Sequence, residues 1–190
     1  MTLFLIGLVG FLGIHSIAIA LPGWRERAIA RIGAPGWRAA YSIASLAAFL
    51  LMIHGYGIAR QAPVVVYTPP AGMRHLAMLL MLPVFPMLLS AYLPGRIKAR
   101  LKHPMLAAVK LWALAHLLAN GMLADLLLFG GFLVWAVVDR ISVGRRPRGP
   151  VSTAAGGRLN DAIAVIGGLA LYGVFVVWLH GRWIGVPLLP

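Results

Sequence analysis

Two kinds of side chain are scarce in this chain of 190 residues, which contains no cysteine and only four acidic residues. The absence of cysteine excludes disulfides, thiolate metal ligands and a cysteine nucleophile. The acidic residues, Glu26, Asp125, Asp139 and Asp161, lie too far apart in the predicted helices to form the carboxylate pair of a hydrolase. Any metal or cofactor must therefore be held by histidine, carboxylate or weaker ligands.

Hydrophobic residues dominate the rest of the chain. They make up 61% of it, only 11% of residues are charged, and the mean hydropathy is +0.90, values typical of an integral membrane protein. A spanning helix needs about 20 mostly apolar residues, and open sheet edges cannot lie in hydrocarbon. We therefore predict an all-α fold, a polytopic transmembrane bundle in a single domain over residues 1–190, with about six spans and five possible. The apolar segments are 3–21, 39–58, 76–93, 105–118, 122–138 and 162–179.

Basic residues cause the formal net charge of +13, and most of them follow the first, third and fifth apolar segments. This alternation is the positive-inside pattern of a multi-pass membrane protein. It places the basic loops in the cytoplasm and, with six spans, both termini outside. Contact with anionic lipid accounts for part of the charge. No nucleic-acid recognition motif accompanies it, so we predict no nucleic-acid partner.

Proline, glycine and charged residues mark the predicted breaks. Residues 24–37 read as a short amphipathic helix on the inner surface. Pro83 and Pro86 predict a kink in the third span, which would widen a cavity between helices. Asn120-Gly121 predicts a tight hairpin between the short fourth and fifth spans. Residues 144–158 read as a flexible, basic cytoplasmic loop.

Histidines are the remaining candidates for chemistry. His15 and His116 lie deep in the first and fourth spans among small residues, and Trp112 shares a helix face with His116. We predict both histidines as metal or cofactor ligands; an interhelical hydrogen bond is the alternative for each. Asp125, level with His116 across the hairpin, would orient its imidazole or else cap the fifth helix. Lys110 would extend towards the cytoplasm or pair with an anionic cofactor group.

Depth raises a second possibility for the ligand pair. By the helical rise, His15 lies about 18 Å from the outer end of its helix, whereas His116 lies about 6 Å from the hairpin tip. Two side chains that bind the same metal ion must differ less in depth than these two do. Either the hairpin sits low in the membrane, or the partner of His116 is His54 or His180.

The chain resembles the NnrU family of bacterial membrane proteins, which is similar in turn to the zeta-carotene isomerase of plants and cyanobacteria. The resemblance covers most of the chain. It is carried by Lys102-His-Pro-Met, Trp112-Ala-Leu-Ala-His116-Leu-Leu-Ala-Asn-Gly, Ala124-Asp-Leu-Leu-Leu-Phe-Gly130, Trp135-Ala-Val-Val-Asp-Arg-Ile-Ser142 and His15-Ser16.

The resemblance implies an inner-membrane protein linked to denitrification, that is, to nitrite and nitric oxide reduction. For the isomerase branch it implies haem b held by two histidines, matching His15 and His116 here, and redox-dependent isomerisation of a polyene. That branch has a cysteine three residues before its second histidine, where this chain has Ala113. The difference weakens the isomerase hypothesis and leaves haem binding open.

Three functional hypotheses follow. The first is a haem protein, a redox sensor or isomerase-like enzyme, acting on a hydrophobic small molecule or nitric oxide. The second is a non-catalytic, haem-free accessory factor for other denitrification membrane proteins. The third, a membrane methyltransferase, rests on His103-Pro104 at the start of the hairpin, but the chain lacks a carboxylate-rich or glycine-rich site for a methyl donor.

Overall fold

Helices form almost all of the computed structural model, which describes residues 1–145 and 158–189. Within that part, β-structure is limited to one isolated antiparallel bridge between Val65 and Met122, so the predicted all-α class is confirmed. The helices are α1 (Thr2–Ala20), α2 (Pro22–Ala59), α3 (Met73–Met81), α4 (Val84–Tyr92), α5 (Arg96–Leu101), α6 (Pro104–Ala119), α7 (Leu123–Arg145) and α8 (Arg158–Val174), and a π-helix, Phe175–Ile184, continues α8.

Among the described residues, five helical segments are long and apolar enough to cross a membrane: Thr2–Ala20, Pro22–Ala59, Met73–Tyr92, Leu123–Arg145 and Arg158–Ile184. The sixth apolar helix, α6, has 16 residues and is about 24 Å long. The prediction of about six spans, with five possible, agrees with these lengths. The short fourth span is the one that decides between the two numbers.

Glycine and proline interrupt the helices at two points: at Gly33, inside the predicted amphipathic helix 24–37, where no break was expected, and at the predicted kink near Pro83. Gly33 has φ 73° and ψ 162° inside α2, a left-handed φ that favours glycine, so the first part of α2 is separated from its spanning part. The chain also leaves the helix at Leu82–Pro83, between α3 and α4. Where α8 meets the kink, no room is left for the cavity expected beside Pro86, because a Cβ at Gly168 would overlap the Pro86 backbone. The kink permits close helix packing at this point instead.

The described chain divides into two compact units. The first consists of residues 1–69 and 120–143, and the second of residues 70–119 and 144–190. The break predicted at Asn120-Gly121 is confirmed, because α6 ends at Ala119 and α7 begins at Leu123. The two helices of the predicted hairpin belong to different units. Of the predicted loop, residues 146–157 lie outside the described residues; its two ends belong to α7 and α8.

The first unit is held together by close contact between α1 and α2. A Cβ at Gly7 would overlap the Met52 backbone, and one at Gly55 would overlap the Phe4 backbone. Beyond the C-terminal end of α2, the following segment pairs with the start of α7, where Leu123 N–H donates to the Val64 carbonyl at 2.8 Å. These contacts bring α1, α2 and α7 together.

In the second unit, hydrogen bonds connect the start of the short basic helix α5 to α8. The two carboxylate oxygens of Asp161 accept hydrogen bonds from the N–H groups of Arg96 and Ile97, each at 3.0 Å. The Asn160 amide donates to the Pro94 carbonyl at 2.7 Å. Since these N–H groups belong to the first turn of α5 and have no partner within their own helix, Asp161 stabilises that helix from outside.

Candidate functional site

His15 lies in the last two turns of α1, and its imidazole is tied to its own helix. Nδ1 is 2.8 Å from the Phe11 carbonyl oxygen. A carbonyl can only accept a hydrogen bond, so Nδ1 carries the proton and the lone pair is on Nε2. This is the tautomer in which Nε2 can bind a metal.

Three aromatic rings surround this imidazole. Phe11 packs beside it at a centroid distance of 4.2 Å, Tyr41 of α2 lies at 5.4 Å, and Trp135 of α7 lies at 6.0 Å with its ring plane at 87°. Each of the three helices of the first unit therefore contributes a ring. The rings restrict rotation of the imidazole and add to the effect of the hydrogen bond.

A cavity of about 250 Å³, which we call the His15 cavity, opens beside this residue at the junction of α1 and α2. Most of its lining is apolar or aromatic, and Arg25 contributes the one formal charge. The lining residues are Ile14, His15, Ile17, Ala18, Arg25, Trp37 and Tyr41.

A second space, a groove of about 600 Å³, runs between α1 and α7 in the same unit. The residues that line it include Ser16 of α1 and Gly130, Gly131 and Trp135 of α7. The indole nitrogen of Trp135 and the hydroxyl of Ser45 are buried without a hydrogen-bond partner in the described part of the chain. Buried polar groups are normally paired, so the unsatisfied indole of Trp135, whose ring packs beside His15, marks a place where a ligand can supply the missing contact.

His116, in the second unit, repeats the arrangement of His15. Its Nδ1 is 2.8 Å from the carbonyl oxygen of Trp112, and the two rings are 5.3 Å apart. Nδ1 is again the protonated nitrogen and Nε2 the one that can ligate. In both helices an aromatic residue precedes the histidine by four positions.

Asp125, predicted to orient His116, has another partner in the structure. It is 3% exposed, lies in the first turn of α7, and its Oδ1 accepts a hydrogen bond from the hydroxyl of Tyr56. The Arg60 guanidinium lies 5.7 Å from the centroid of the Tyr56 ring. The Trp112 carbonyl accepts the hydrogen bond from His116 Nδ1 and so fixes the tautomer, which is the role that we predicted for Asp125.

The other candidates lie apart from these arrangements. Lys110 is half-buried in α6, while His54 and His75 are exposed. His180 lies in the π-helix, and its Nδ1 is 2.7 Å from the Val186 carbonyl oxygen. Among residues 1–145 and 158–189, no group of three or more histidine, aspartate or glutamate side chains could hold a metal; ligation by two histidines does not require one.

The sequence predicted His15 and His116 as ligands, which stays a prediction, and it placed Trp112 on the same helix face as His116, where the two rings pack. It did not predict the rings around His15. Phe11 carried a signal, since it precedes His15 by the same four residues that separate Trp112 from His116. Tyr41 and Trp135 carried none, because they reach His15 from other helices.

The fold defines a polytopic helical membrane protein, and His15 and His116 lie within its apolar helices. The chain belongs to the NnrU protein family, which matches residues 3–188. No curated protein matches the chain. No solved structure matches it either.

Proposed function

We propose that this NnrU-family protein binds haem b through His15 and His116 and serves denitrification in the bacterial inner membrane. The observation that carries the proposal is the repeated hydrogen bond from Nδ1 to the carbonyl four residues earlier. In each histidine it leaves Nε2 as the nitrogen with the lone pair, which is the state required of a haem ligand.

The residues around His15 fit such a cofactor. Gly130 and Gly131 are among the residues that line the α1–α7 groove, and nothing lies within 4 Å of a Cβ at Gly130, so a flat macrocycle can approach the helix there. The unsatisfied Trp135 indole is a donor that a polar edge group would satisfy. Bound haem would supply one-electron transfer, with a position for nitric oxide only when one histidine leaves.

The chain's own contribution is orientation and exclusion of water. The Phe11 and Trp112 carbonyls hold the imidazole tautomers, and the rings of Phe11, Tyr41 and Trp135 enclose His15. Isomerase-like chemistry on a polyene and a relation to the zeta-carotene isomerase are more specific proposals than haem binding. Ala113 is fully buried in α6, so the position of the isomerase cysteine holds a packed methyl group here.

The test is an absorption spectrum of protein purified in mild detergent, oxidised and then reduced, with pyridine extraction to count haem. We expect about one low-spin haem per chain, lost in His15→Ala and in His116→Ala. The control is His75→Ala, because His75 is exposed. Retention of six-coordinate haem in His15→Ala, with loss in His54→Ala or His180→Ala, would show that the ligand pair is wrong. No haem after reconstitution would overturn the proposal.

The second candidate is a haem-free accessory factor for other denitrification membrane proteins. It is favoured by the short helix α5, which carries Arg96, Lys98 and Arg100 and is held in place by Asp161. A basic helix fixed in this way offers an anionic partner a defined surface. Cross-linking from α5 in denitrifying cells tests this candidate. It is supported if a denitrification protein is captured by the wild type and lost when the three basic residues are changed to glutamine.

A further inference from the structure

The His15 cavity has a cation without a counter-charge. Arg25 lines the cavity, and none of the lining residues is acidic. The neighbouring Glu26 is not part of the lining, and the Arg25 side chain makes no ion pair or hydrogen bond with the described residues. An arginine guanidinium has five N–H donors that match a carboxylate in a two-bond arrangement.

The position of the cavity fits a ligand that is polar at one end and apolar at the other. It lies where α1 ends at Ala20 and α2 begins at Pro22. The rings of Trp24 and Trp37 pack there at 5.7 Å, and tryptophan is enriched at the boundary between membrane and water. A charged head would lie at Arg25, at this boundary, while an apolar body would contact Ile14 and Ile17.

The volume limits what enters. About 250 Å³ is less than the 300 Å³ or so at which pockets for whole drug-sized ligands begin. The cavity therefore has room for one end of a larger ligand only.

We propose that the His15 cavity binds the carboxylate end of an amphiphile, with Arg25 as the partner of the carboxylate. Two molecules share this chemistry, a haem through its propionate and a free fatty acid. The proposal rests on the proposed function only if the carboxylate is a haem propionate, and Arg25 then takes the role considered for Lys110.

The experiment uses the haem-free full-length protein in nanodiscs of zwitterionic phosphatidylcholine and a fatty acid that carries a photoreactive diazirine. Cross-linked peptides are located by mass spectrometry, and unlabelled oleate, methyl oleate, haemin and haemin dimethyl ester are added as competitors. The variant is Arg25→Gln. Its matched control is Arg27→Gln, which removes one charge from the same helix at an exposed residue that does not line the cavity.

We expect labelling at residues 14–18 and 37–41, reduced about tenfold or more in Arg25→Gln, as for loss of a hydrogen bond to a charged group, and unchanged in Arg27→Gln. Competition by oleate identifies a fatty acid as a ligand, and competition by haemin identifies a propionate; both esters should fail. Equal competition by acids and esters, or undiminished labelling of Arg25→Gln, would overturn the proposal.

Two further measurements keep the outcome clear. If Arg25→Gln does not fold, Arg25→Lys retains the charge and Ile17→Trp fills the cavity, so labelling should persist in the first and disappear in the second. The haem spectrum is recorded separately. Labelling that depends on Arg25 in a protein that never takes up haem supports this site while the haem proposal fails, and the reverse result overturns only this site.

Discussion

At the scale of single residues, the two four-residue spacings, Phe11 to His15 and Trp112 to His116, have the same physical meaning in the structure. A side chain four residues on reaches the preceding turn of its own helix, so each imidazole can donate to the carbonyl of the aromatic residue. Such contacts are local and can be predicted from sequence. The partner of Asp125 was not predictable in this way, because Tyr56 is 69 residues away.

The Tyr56 to Asp125 hydrogen bond is open to a direct test. Asp125 is buried, so Tyr56→Phe removes the donor and leaves a carboxyl oxygen without it. We expect a loss of stability of about 1–3 kcal/mol, the cost of an unsatisfied buried polar group, measured by thermal unfolding in detergent. Tyr92→Phe is the control, because Tyr92 is 74% exposed. Equal unfolding temperatures for the two variants would show that the bond contributes nothing.

At the scale of helices, the effect of a glycine depends on whether it faces a neighbouring helix. Gly55 and Gly57 are two residues apart in α2, and only Gly55 meets another helix. A Cβ at Gly55 would overlap the Phe4 backbone, whereas nothing lies within 4 Å of one at Gly57. Sequence shows both glycines equally well, and only the rotation of α2 about its axis distinguishes them.

This difference predicts opposite effects for the same substitution. Gly55→Ala should destabilise the protein by about 1–3 kcal/mol, as overpacking does, since α1 and α2 must move apart. Gly57→Ala should be neutral or stabilising by up to about 1 kcal/mol, because alanine favours the helix. Thermal unfolding of the two variants, side by side, is the measurement. A loss of stability in Gly57→Ala as large as that in Gly55→Ala would contradict the packing described for α1 and α2.

At the scale of the whole molecule, the number of membrane spans decides on which side of the membrane each loop lies. The basic blocks predict six spans with both termini outside, and α6 is the short helix on which this number depends. If α6 crosses, three helices separate Ala99 from Leu189, and these two residues lie on opposite sides. If α6 does not cross, they lie on the same side.

Because the chain has no cysteine, single cysteines report this path without background. We expect an impermeant maleimide to label Ala71→Cys and Leu189→Cys in cells whose outer membrane is permeabilised. Ala99→Cys should react only after the inner membrane is broken. All three positions are exposed in the structure. Labelling of Ala71→Cys alone would mean five spans. Labelling of Ala99→Cys in intact inner membranes would show that the protein has the opposite orientation in the membrane.

The sequence by itself determined the all-helical membrane class, the range of five to six spans and the breaks near Pro83 and Asn120, whereas the break at Gly33 came only from the structure. The features that the sequence determined follow from local composition, from the length of apolar runs and from residues that cannot continue a helix. Tertiary structure alone decided that Tyr41 and Trp135 surround His15, that Tyr56 takes Asp125, and that Asp161 holds α5 across 65 residues. Such pairs depend on how each helix is rotated against its neighbours. With apolar residues on every side of a membrane helix, the periodicity of the sequence does not specify that rotation.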